Sequence, residues 1–65
     1  MDLQRTPVIT VILSTEMAWA YAQFLKRVGL DDYRRLAVDV DQAYEMLAVG
    51  EAIREELTRA GYAPR

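Results

Sequence analysis

Val8–Leu13 constrains this chain more than any other segment. It reads VITVIL, with five β-branched residues in six, a composition that favours extended backbone. Ile9, Val11 and Leu13 form one apolar face of a strand and Val8, Thr10 and Ile12 the other, so both faces ask for cover. Pro7 stands where a strand tolerates proline, at its first position or on an edge. No second strand-like segment follows. A lone strand leaves its backbone N–H and C=O groups unpaired, and burying them costs about 1–3 kcal/mol each. Three arrangements answer this: pairing with the same strand of a second copy, addition to the sheet of another protein, or a segment that is no strand in the free chain. The first is the expectation here, because a symmetric ribbon would also bring two copies of the following helix to one dimer axis.

Size points the same way. A chain of 65 residues is one small domain, residues 1–65, and buries only about 60% of its unfolded surface. Without Cys or His it has neither disulfides nor the usual soft metal ligands, so no cofactor is expected and further stability has to come from packing or association. The composition, 52% hydrophobic with net charge −2, is that of a folded chain, and it lacks the basic excess of a nucleic-acid binder. Met1–Thr6 reads as a polar lead-in. The six-residue apolar run behind it is too short for a signal-peptide core, and no stretch is long enough to span a bilayer. A cytoplasmic protein with no membrane partner is expected.

Ser14 is a good N-cap and Glu16 complements the helix dipole, which predicts a helix over about residues 15–28, ended by Gly29. Met17, Tyr21, Phe24, Leu25 and Val28 follow the spacing of a single buried stripe. Trp19 points almost opposite, beside Gln23 and Lys26. It reads either as a half-exposed indole or as an interface residue, and Ala18, Ala20 and Ala22 around it favour a helix buried from more than one side. Val8, Thr10, Ile12, Trp19, Gln23 and Lys26 are therefore the candidate interface.

LDDYRRLAV predicts a short helix capped by Asp31, with Tyr33, Leu36 and Ala37 inward and Arg34 and Arg35 outward. Asp39 and Gln42 form a variant capping box before a long helix over about Val40–Ala60, stopped by Gly61 and followed by Pro64. Ala43, Met46, Gly50, Ile53, Leu57 and Ala60 take alternating three- and four-residue steps along it. A mid-helix glycine costs about 1 kcal/mol relative to alanine, so Gly50 on this stripe predicts close approach of a backbone or a bulky ring. The expected fold is mainly α, one N-terminal strand followed by two main helices with a short helix between them (β-α-α-α), its strand paired across a homodimer.

Lys26, Arg27, Arg34 and Arg35 outnumber Asp31 and Asp32 around the middle turn, whereas residues 39–60 carry six acidic side chains against Arg54 and Arg59. The first group reads as a basic docking patch or as solvated helix faces with local pairs such as Glu55 and Arg59. Acid–base candidates are confined to carboxylates, Lys26 and tyrosines. Asp31 and Asp32 serve as helix caps and Ser14 as another, so no enzyme is expected.

ITVIL followed by STE is similar to the strand-to-helix entry of the ribbon-helix-helix repressors, over about the first 25 residues. That resemblance implies a ribbon face of Val8, Thr10 and Ile12 reading base edges, of which only Thr10 could donate a hydrogen bond. Together, TVIL, AQFLKRVG, DDYRRLAVD and AGYAPR resemble a family of short uncharacterised proteins from proteobacteria and their prophages, over nearly the whole chain. The leading expectation is a non-enzymatic interaction module, a homodimeric adaptor, regulator or inhibitor of a larger protein; a phage-linked inhibitor of a bacterial defence complex is one concrete form. A ribbon-helix-helix-like transcriptional regulator is the alternative, against which stands the acidic net charge.

Overall fold

The computed structural model describes residues 6–65. Apart from Thr6, the polar lead-in lies outside them. Three helices follow one another: α1, Thr15–Arg27; α2, Leu30–Leu36; and α3, Val40–Arg59. The strand expected over Val8–Leu13 does not form, and the described residues contain no β-strand. The segment is an exposed arm without secondary structure, with Val8 92% and Ile12 95% exposed. Its β-branched side chains select extended dihedral angles, but a strand also needs a second extended backbone to bond with, and these helices provide none. The β-α-α-α assignment is corrected to three helices and an arm.

α1 and α3 begin at the caps legible in the sequence, and α2 two residues before the one expected. Ser14 Oγ accepts from the Met17 N–H at 3.1 Å. At α2 the N-cap is Gly29 rather than Asp31, and Asp32 reaches back to accept the Gly29 N–H at 2.9 Å. At α3, Asp39 accepts the Gln42 N–H and the Gln42 amide oxygen accepts from Val38, both at 2.8 Å. The reciprocal bond of a capping box thus falls one residue earlier than in the standard form.

The end of α3 is a Schellman motif. Gly61 takes φ +102°, the Gly61 N–H donates to Thr58 O at 3.0 Å and the Tyr62 N–H donates to Leu57 O at 2.8 Å, both bonds of the motif. The chain reversal carries Tyr62 back over the core, where its ring meets Trp19 edge-on with centroids 5.2 Å apart.

α1 and α2 each pack against α3. The buried apolar residues are Ala18, Ala22, Leu25, Ala43 and Leu57, three of them alanines. On α1 the inward stripe is therefore Ala18, Ala22 and Leu25. The bulkier stripe expected there is largely outside: Met17 is 62%, Tyr21 45% and Phe24 48% exposed. Small side chains let two helices approach closely, and the wider residues are turned out of so narrow a contact. Tyr21 and Phe24 instead stack on each other, centroids 5.3 Å apart. Leu36, expected inward, is exposed, as are Ile53 and Ala60 from the α3 stripe, while Ala43, Gly50 and Leu57 are buried.

The result is flat and open, 37 × 30 × 15 Å with a radius of gyration of 13.5 Å, against about 11 Å for a compact chain of this length.

Candidate interaction surface

α1 and α2 diverge from their common support on α3 and leave an open groove of about 630 Å³. Ala20, Gln23, Phe24 and Arg27 line it from α1, Val28 from just beyond its end, and Asp32, Tyr33, Arg35 and Leu36 from α2. The α1 residues lie about 100–200° round the helix from Ala22, which faces the core. The floor and walls are aromatic and aliphatic; Gln23 and the guanidinium groups add polar donors.

Two groups have shifted ionisation. The Asp32 carboxylate is held below its ordinary range, first by the hydrogen bond from the Gly29 N–H and then by Arg35, whose Nη2 donates to it at 2.8 Å; partial burial works in the opposite direction. Tyr33 is raised, first by burial, and also by Tyr21, Glu51 and Asp32 nearby. Its phenol stays a neutral donor and acceptor. The groove holds neither histidine nor cysteine, and its one carboxylate is engaged by Gly29 and Arg35. Its chemistry is that of apolar contact with a few polar anchors.

The candidate interface residues are not brought together as a set. Val8, Thr10 and Ile12 lie on the exposed arm and Lys26 on the surface. Gln23 lines the groove. Trp19, 41% exposed, rests on the chain's own Tyr62, so most of its area is used within the monomer. The basic patch is also divided. Arg27 and Arg35 line the groove, Arg34 shares a shallower depression with Asp31 and Arg35, and Lys26 lines neither.

Phe24, Val28, Tyr33 and Leu36 are the groove residues that sequence reasoning placed inward. A signal was present in the competing stripe of alanines, Ala18 and Ala22, one position away from Met17 and Tyr21. The α3 residue clustered with Ala18, Ala22 and Leu25 is Leu57, while Gly50 is covered by Tyr33 and Leu25. Elsewhere, Glu55 pairs with Arg59 at 2.7 Å as expected, and Glu56 joins them.

The chain matches the family of unknown function (DUF7706) over residues 1–65. It belongs to that family. No curated protein and no solved structure matches it. Family membership agrees with the resemblance to a family of uncharacterised proteins and leaves activity to be argued from the surface itself. Among the described residues, no helix is long and apolar enough to cross a membrane.

Proposed function

We propose that this chain is a small non-enzymatic protein-interaction module, a homodimer that serves as an adaptor, regulator or inhibitor of a larger protein. One observation carries the reading: the apolar surface left uncovered. Besides the arm, Met17, Tyr21, Phe24, Leu36, Val38, Val40, Tyr44 and Val49 are all 45% exposed or more. The accessible surface is 5683 Å², about 1,500 Å² above that of a compact folded chain of this mass. So many large apolar side chains left in solvent favour an interaction role. A bacterial or phage setting in the cytoplasm rests on the sequence reading alone.

The regulator alternative has lost the feature that suggested it, since Val8–Leu13 forms no ribbon among the described residues, and the net charge of −2 gives phosphate little attraction. Light scattering at micromolar concentration tests the proposal, with twice the 7.4 kDa chain mass expected. A well-folded monomer would overturn the homodimer. Fluorescence anisotropy on random duplex DNA tests the rest, since binding with a steep negative salt slope would favour the regulator.

A further inference from the structure

We propose that the Val8–Leu13 arm of one copy lies in the α1–α2 groove of another, so that two chains exchange arms. This rests on the homodimer reading and specifies its contact. The arm has no secondary structure and is apolar and mostly exposed, with Val8, Ile9, Val11 and Ile12 at least 66% and Leu13, next to α1, 43% exposed. The groove is apolar, open and walled by Phe24, Val28 and Leu36. Six extended residues span about 20 Å, and the groove wall from Ala20 to Val28 runs about 12 Å, so the arm is long enough to fill it. Ile9, Val11 and Leu13 offer a wholly apolar face to the walls. Gln23 and Arg27 along α1 supply donors for the arm's carbonyl groups.

The chain's own arm is badly placed for this groove. It leaves the N-terminal end of α1 in extended conformation, Ser14 having ψ 162°, whereas the groove begins at Ala20 and continues toward the other end. Docking in the same chain requires a reversal at Ser14. There the side chain caps Met17 and the carbonyl accepts from Ala18 at 2.9 Å. No glycine lies between residues 6 and 14 to supply a turn, and β-branched residues hold the backbone extended. A second copy meets no such constraint. The area agrees, because an excess of about 1,500 Å² over a compact chain exceeds the roughly 800 Å² that each partner contributes to a standard interface. The arm also carries no charge, so it brings no ion of its own into the groove.

The natural absence of cysteine makes the test clean. A chain with Val11→Cys and a second, size-tagged chain with Gln23→Cys are mixed, equilibrated and treated with a short bis-maleimide, with light scattering run in parallel. Arm exchange predicts the mixed Val11–Gln23 cross-link several-fold above either like-with-like product, because docking raises the effective concentration of one thiol at the other. A dimer mass with no such excess overturns arm exchange and leaves the homodimer standing. A monomer overturns both. In a single chain bearing both substitutions, a cross-link confined within one chain places the arm on its own groove and also overturns exchange.

Discussion

The Tyr33 hydroxyl occupies the space that a Cβ on residue 50 would need, and the Leu25 side chain lies against the same spot. Gly50 is thus the point where α1 and α2 both reach α3. The glycine costs helix propensity, about 1 kcal/mol relative to alanine, and in return a phenol ring closes over the α3 backbone. Gly50→Leu is expected to destabilise by about 1–3 kcal/mol through overpacking, measured by urea denaturation. A more stable variant would contradict the packing described.

A sharper form of this test uses the hydroxyl itself. With Tyr33→Phe, the nearest ring carbon lies 3.5 Å from where a Cβ on residue 50 would stand, an ordinary contact. Gly50→Ala should therefore be neutral or destabilising in the natural chain and stabilising by up to about 1 kcal/mol in the Tyr33→Phe background. An additive double-mutant cycle would remove the hydroxyl from the account.

Trp19 and Tyr62 are joined by the helix stop at Gly61, and removal of either ring should loosen the C-terminal turn. Trp19→Ala and Tyr62→Ala are each expected to lower thermal stability, with a coupling of about 0.5–1.5 kcal/mol between them. The indole emission should shift to the red in Tyr62→Ala. A stable Trp19→Ala chain with weakened self-association would instead assign the indole to the dimer contact.

The raised Tyr33 pKa has a definite sign. The folded chain keeps this proton longer than the unfolded chain, so its contribution is fully present below the ordinary tyrosine value of 10.0 and is lost as pH rises through the higher folded value. Melting temperatures should fall above about pH 10, less steeply in Tyr33→Phe. Equal slopes for the two proteins would show that Tyr33 does not contribute. Asp32 acts at the other end, since its lowered pKa makes its contribution present above the ordinary carboxylate range and lost as acid protonates the folded form.

Phe24 stands in the groove wall, and Val49 lies about 200° round α3 from Glu51, which neighbours Tyr33. On the proposed dimer, Phe24→Asp should raise the dissociation constant by about 30-fold or more, as expected for loss of a buried aromatic anchor. Val49→Asp should leave it nearly unchanged. Sedimentation equilibrium of both variants, with helical circular dichroism as a check on folding, decides the matter. Equal effects would place the contact elsewhere.

The three helices and most of their ends were legible in the residues because caps are local; the exception is α2, whose cap is Gly29 and not Asp31. Ser14, Asp39 and Gly61 act on groups within a few positions of themselves, and the structure uses all three. Gly50 was legible too, since its cost had no local explanation and so required a neighbour, which is Tyr33. What periodicity could not decide was the face of α1. Met17–Tyr21–Phe24 and Ala18–Ala22–Leu25 are both apolar at helical spacing, and the choice between them is made by the width of the gap that α3 offers. The state of Val8–Leu13 was likewise beyond local chemistry. Its β-branched residues determine an extended backbone, but a strand is a relation between two backbones, and only the tertiary structure shows that the helices leave this one without a partner of its own.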